Sequence, residues 1–298
     1  MFIYTFIMFH NFQLIKNKTI ENPNIIYPPT KKIFLFTNAR NEKHIKEWAY
    51  HHLLIGFTNI IIFDHKSQPP IVPFDKNVQI IRCDIQNPVK MFLMNEAFKI
   101  AKKNNADWFI YLDADEFIIL NQYHSIKQLL NRYHHAHSLS LNWLLFGSNH
   151  HRKEPPGLIL ENYTKSEKIL NPHVKTFVRP TAIIQSINPH YYLMKNPYRL
   201  FNLNNKLMNV NHLAMNYTNT NYQDVPAYIA HYIYQSQETY INRKIKLPSD
   251  DTGIIRTINK NFHSEYNEVE NNDPKNKYTE QLIKILRPSP PMIEEKNE

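Results

Sequence analysis

Residues 108–116 read WFIYLDADE: five apolar side chains without alternation, then three carboxylates in four positions. An apolar run that does not alternate fits a central parallel strand covered on both faces. Asp113, Asp115 and Glu116 then crowd the carboxyl end of that strand, where, uncompensated, they repel and raise one another's pKa. A hard divalent cation, Mn²⁺ or Mg²⁺, removes that cost. It takes carboxylate oxygens octahedrally, can bridge a diphosphate, and stabilises charge developing on a leaving phosphate. For an isolated D-x-D the ordinary reading is a capped turn with solvated acids. Five apolar residues before it, in a strand–helix–strand setting, favour the chemical one.

Working outward, KKIFLFT predicts a strand near Ile33–Thr37, and Glu42–Ile55 a helix with Ile45, Trp48, Ala49, His52 and Leu53 on its buried face. Gly56 is placed to end that helix. NIIIF (59–63) and VQIIRC (78–83) read as further strands, and Val89–Lys103 as a second amphipathic helix. This alternation is that of an α/β domain with a mainly parallel sheet flanked by helices. Ligands in such sheets sit outside the carboxyl ends of the strands. The second half is less regular, with a helix expected near Ser125–Tyr133, strands near Ser138–Leu145, His173–Val178, Ile183–Ile187 and Tyr228–Tyr234, and a helix over Gln237–Ile245. The division expected is an extension over 1–30, one domain over 31–264, and a tail over 265–298 with one short helix and a disordered end.

Composition narrows the chemistry. The 298 residues include only four glycines, so no glycine-rich phosphate loop exists, and metal, Lys, Arg or helix N-termini must bind any phosphate. The single cysteine, Cys83, rules out an internal disulfide and a Cys-based zinc site. A net charge of +9 favours anionic partners, but no block of five basic residues occurs, so a phosphate-bearing small substrate is expected rather than nucleic acid. The apolar stretch Phe2–Phe9 is too short to span a bilayer and lacks the flanks of a signal peptide. A cytoplasmic chain without a membrane span is therefore expected.

Lys175 and Arg179 lie four apart in HVKTFVRP, which puts both on one strand face, where they would neutralise a diphosphate; a solvated edge strand is the alternative. Transfer to a hydroxyl with inversion needs a general base. Glu161 is the candidate, with Asp224, Asp250 and Asp251 as rivals. Trp143 offers a flat face for a sugar ring or fills the core, and His150, with His151, follows the FGS turn where it would meet an acceptor. A strand ending in D-x-D also occurs in haloacid-dehalogenase-like phosphatases, but there in the first strand and with Thr or Val where this chain has Phe117.

Over roughly residues 33–250 the chain resembles glycosyltransferase family 92, a group related to family 2. The pieces, in order, are NARNE with EWAYHHLLIGF, IIIFDHKS, WFIYLDADEF, LNWLLFGSNHH with PPGLILENY, HVKTFVRP, NPHYYL and AHYIYQSQETYINRK. The resemblance implies a GT-A, Rossmann-like nucleotide-sugar-binding fold whose C-terminal half faces the acceptor. It also implies a hexosyltransferase that uses a UDP-sugar donor and Mn²⁺ or Mg²⁺, inverts the anomeric carbon, and acts on a glycan or glycoconjugate. It places Asn38, Arg40 and Glu42 in the loop near the nucleotide and Asp64 at the base. Asp113 and Asp115 match the metal and ribose-diphosphate motif, with Asp115 the direct ligand, and His231 completes the metal shell or touches the diphosphate. Three positions depart from the family: Ala230 replaces Asn, Gln235 replaces Lys and Asn149 replaces Gly. The lost Lys motivates an alternative, a non-catalytic descendant that binds nucleotide or glycan.

Overall fold

The structure is a computed structural model that describes residues 27–196, 198–204 and 219–287. The apolar stretch Phe2–Phe9 and the last eleven residues, where a disordered end was expected, lie outside the described residues. Among the described residues, no helix is long and apolar enough to cross a membrane.

The first half alternates as expected: β1 (Ile33–Ala39), α1 (Ile45–Leu54), β2 (Asn59–His65), β3 (Val78–Cys83), α2 (Lys90–Lys103) and β4 (Trp108–Tyr111). Then come β5 (Glu116–Leu120), α3 (Ile126–Arg132), β6 (Ser138–Leu145), α4 (Ile159–Asn162), β7 (Lys165–Ser166), β8 (Asn171–Val178), β9 (Ile183–Ser186), β10 (Tyr192–Met194) and β11 (Ala227–His231). The chain closes with α5 (Gln237–Tyr240), a π-helical turn (Ile241–Ile245), β12 (Val269–Glu270) and α6 (Asp273–Leu286). The main sheet runs β3-β2-β1-β4-β8-β6-β11-β5. The β1–β2, β2–β3, β1–β4 and β6–β11 pairs are parallel, and the pairs that β8 makes and β5–β11 are antiparallel. This is the mixed α/β, Rossmann-like architecture expected from the sequence, with helices flanking a largely parallel sheet.

Period-two alternation divides the core. Ile33 and Leu35 face one side with α1, α3 and α6; Phe34 and Phe36 face the other with α2, β9 and β10. Gly56, at φ +102, ends α1 in a left-handed cap, and its amide donates to Leu53 O. The helix starts at Ile45 rather than Glu42, because Asn41 is left-handed (φ 54) and the Glu42 side chain is turned to Arg243. His51 and His52 are fully buried and tie α1 to β5, His51 through Ile118 O (2.9 Å) and His52 through the Ile118 amide (3.4 Å). In the C-terminal region, α6 is fourteen residues long and puts Tyr278 and Leu282 into the core beside α1.

The sheet cannot be flat. From Tyr111 to Glu116 the chain has five steps, at most about 17 Å. Four strand spacings separate β4 from β5, about 19 Å in a flat sheet. The turn bond from the Glu116 amide to Asp113 O shortens the reach further. The sheet therefore curls, and the curl carries the end of β11 over the end of β4. Sequence reasoning took 113–116 for a loop and missed β5, which begins inside the acidic cluster itself.

Candidate active site

The acidic turn sits where β4 runs out at the carboxyl edge of the sheet. Leu112 still donates to Phe36 O (2.9 Å), after which the chain turns and the Tyr232 amide donates to Asp115 O (2.9 Å). That last bond explains why β11 stops at His231, short of the Tyr234 expected. Asn38 near the end of β1, Arg40 just after it, Asp64 on β2, the turn itself and His231 all lie on this edge.

The turn's carboxylates have different surroundings. The Lys90 ammonium contacts Asp113 Oδ1, and Lys175 Nζ lies 3.1 Å from Asp113 Oδ2. Burial would raise the Asp113 carboxyl, but Lys175 and Lys90 outweigh it and hold the group well below the usual carboxylate range. Asp115 is fully buried, with Lys244 at 2.9 Å and Arg243 at 3.4 Å. Burial pushes its carboxyl up as well, and Lys244 and Arg243 override it, so Asp115 too is held low. Glu116 is the reverse: burial dominates and lifts it to about 8, which keeps it protonated at neutral pH. Lysine and arginine side chains thus supply much of the compensation that the sequence had suggested a metal alone would provide.

The turn forms one wall of a cleft of about 640 Å³. Five cationic side chains line it, Arg40, Lys90, Arg243, Lys244 and Arg256, against five acidic ones, Glu42, Asp113, Asp115, Asp250 and Asp251. Arg243 holds Glu42 with two nitrogens, at 2.8 and 2.9 Å. Asp250 pins the opposite wall. Its carboxylate takes Arg40 (2.8 Å), Asn38 (2.5 Å) and His65 (3.3 Å), and its carbonyl accepts from the Val89 and Lys90 amides at the start of α2. Burial would raise Asp250, but His65, Lys90 and Arg40 bring it down to about 2. It is an anchored anion rather than a free base.

Of the residues expected to bind metal, Asp115 and His231 meet. Asp115 Oδ1 and His231 Nε2 stand 3.6 Å apart, both buried and both without a hydrogen-bond partner. Burial lowers His231 to about 4, so its imidazole is neutral, the form that binds metals. Asp113 does not join them, because both its oxygens are engaged by lysines. Among the described residues no three His, Cys, Asp or Glu side chains converge on one metal position. Two donor atoms are left there, one carboxylate oxygen and one imidazole nitrogen, and a cation held by them would need its remaining ligands from substrate or water.

Several expectations need correction. Lys175 and Arg179 do not act together. Four residues along a strand cover about 13 Å, and β8 runs antiparallel to β4, so Arg179 emerges at the opposite edge of the sheet. There its guanidinium donates to Ala136 O and His134 O (3.0 Å each) and stacks on Tyr27 and Trp108. Lys175 is buried behind Asp113 and does not line the cleft. Asp64 is also withdrawn: its carboxylate takes the Ser67 and Ile71 amides and Arg82. Glu161 reaches back to the Leu158 amide (3.4 Å) at the start of its own α4 turn and is not on the cleft wall. Asp224 precedes β11, at the far edge. Trp143 packs on His231, with ring centroids 4.4 Å apart, and on His173, deep in the curl rather than in the cleft, and His150 is exposed away from it. The residues sequence reasoning missed are Lys90, Arg243, Lys244 and Arg256; the basic run RKIK (243–246) signalled two of them, Arg243 and Lys244.

No family model and no curated protein matches this chain. Among solved structures, the mannose-1-phosphate geranyltransferase of Thermus thermophilus is similar with a TM-score of 0.31 and 9% identity, over 51% of this chain. The match spans 58% of that protein, somewhat over half its length. A likeness this distant carries no argument about activity, which rests on the cleft.

Proposed function

We propose that the cleft binds the diphosphate of a nucleotide-sugar, and that the chain is a metal-dependent glycosyltransferase of the hexosyltransferase type, related to family 92. In this reading a sugar passes from a UDP-sugar to a hydroxyl of a glycan or glycoconjugate, with inversion. The observation that carries it is the facing pair of unpartnered ligand atoms, Asp115 Oδ1 and His231 Nε2, buried directly behind the Asp115 wall of a cleft lined by five cations. The cleft's own charges cancel, five against five. A diphosphate entering it therefore needs a cation brought with it, and Mn²⁺ or Mg²⁺ on Asp115 and His231 would supply the charge that stabilises a leaving phosphate.

The chain's own residues would do the rest. Lys244 and Arg243, next to Asp115, would hold phosphate oxygens as charge develops there. Lys90 and Lys175 keep Asp113 ionised and oriented. Asn38 and Arg40, fixed by Asp250, would approach the nucleoside end. The departure at Gln235 does not leave the cleft short of cations, since Lys244 stands beside Asp115.

One observation favours the non-catalytic alternative: Asp113 is satisfied by lysines without any metal. A thermal-shift screen of nucleotide-sugars with and without Mn²⁺ tests binding, and ligand at a hundred times its Kd should stabilise the chain by about 2.7 kcal/mol. If no nucleotide-sugar raises Tm, the donor reading fails. Binding of UDP-sugars without release of UDP, alone or with acceptors, would favour the non-catalytic reading.

A further inference from the structure

A second pocket, of about 560 Å³, lies against the other side of the Glu42–Arg243 pair. Its walls are the loop from Asn41 to His44 that leads into α1, Glu154 and Ile159, and residues between Gln235 and Arg243. The pair is shared by both cavities, so whatever occupies the second pocket lies next to whatever occupies the cleft.

Gln235 decides what that occupant is. It is 3% exposed, it lines the pocket, and its carboxamide has no hydrogen-bond partner among the described residues. Its backbone is held at φ 54, a left-handed conformation ordinary for glycine and unfavourable for glutamine. Glycine would suit that backbone, so an amide kept at this position, lining the pocket without a protein partner, points to a ligand that uses it.

The charges give the ligand's class. Glu154 contacts His44 and lies 3.0 Å from Lys43; Glu42 is held by Arg243. Every carboxylate in the pocket has a cationic or imidazole partner, so no lone charge is left to attract an ion. An amide offers both donors and an acceptor, which matches a hydroxyl that both donates and accepts. Ile159 supplies an apolar wall. We propose that this pocket is the acceptor subsite, and that it takes an uncharged sugar ring whose hydroxyls are bound by Gln235 and Glu154. The inference rests on the glycosyltransferase reading above and moves the acceptor away from Trp143 and His150. Its geometric basis is adjacency, since transfer requires donor and acceptor to be held side by side.

The test is saturation-transfer NMR on the full chain with UDP and Mn²⁺ present, using the methyl glycosides of glucose, galactose, mannose, fucose, xylose and N-acetylglucosamine as probes. Gln235→Gly removes the amide while suiting the backbone, so it should fold; Asn242→Ala, on the exposed rim, is a second variant that does not disturb the core. At least one glycoside should receive saturation from the wild type, with affinity falling about fivefold or more in Gln235→Gly, the loss of one net hydrogen bond, and less in Asn242→Ala. UDP affinity by calorimetry should be unchanged in both. The proposal is overturned if no glycoside binds the wild type, if Gln235→Gly binds glycosides as the wild type does, or if that variant loses UDP instead. Failure of UDP to bind the wild type would count against the transferase reading, and the glycoside signals report on the pocket separately.

Discussion

Replacing Asp115 by Asn separates two roles that the structure superimposes on one carboxylate. Asp115 balances Lys244 and Arg243, and it offers Oδ1 towards His231. Losing the first role makes the cleft more positive by one charge. At an effective dielectric near 20, a unit charge about 6 Å from a phosphate charge contributes about 3 kcal/mol, on the order of 100-fold in affinity before salt screening. Metal-free UDP should therefore bind more tightly to the variant than to the wild type. Losing the second role removes one of two protein ligands, so the gain in UDP affinity on adding Mn²⁺ should vanish. Calorimetric titration of UDP into both proteins, in EDTA and in Mn²⁺, reads the two effects with opposite signs. A Mn²⁺-dependent gain equal in the variant and the wild type would refute the metal assignment. Metal-free affinity that does not rise would show that the diphosphate lies elsewhere.

Arg179→Met should leave UDP binding untouched and cost about 2–4 kcal/mol in a denaturant titration, because two charge-assisted hydrogen bonds and a stacked cation are lost at the sheet's far edge. Glu47 is buried and accepts from the Ile159 amide (2.7 Å) and the Leu160 amide (3.0 Å) at the start of α4. Glu47→Ala should therefore destabilise by about 2–4 kcal/mol, read as a fall in Tm, by leaving those amides unpaired. Burial depresses His51 to about 4, so the unfolded chain takes up its proton first as pH falls. The His51 contribution is complete above the unfolded value near 6.5 and is lost as pH drops towards 4. It amounts to about 3 kcal/mol at most, and denaturant midpoints of wild type and His51→Gln should converge over that range.

The alternation of strands and helices up to Trp108–Tyr111, and the place of the acidic turn at the carboxyl end of that strand, were legible in the sequence alone. Both are written in local hydrophobic periodicity, which depends on neighbours a few residues away. So was the cap at Gly56, which one backbone angle requires. What faces the turn was not legible. Lys175 and Arg179 share a strand and a charge sign, and only the antiparallel placement of β8 sends one to the carboxylates and the other to the opposite edge. Arg243, Lys244 and His231 reach Asp115 because the sheet curls, a consequence of a short link spanning four strands, and Lys90 meets Asp113 because α2 starts at the same edge. Glu161 satisfies its own helix turn instead of a substrate, an outcome that turns on one hydrogen bond. Periodicity along the chain sets which segments form and which face they bury. The meeting of charges more than a hundred residues apart is set by strand order, direction and curvature, which no local pattern encodes.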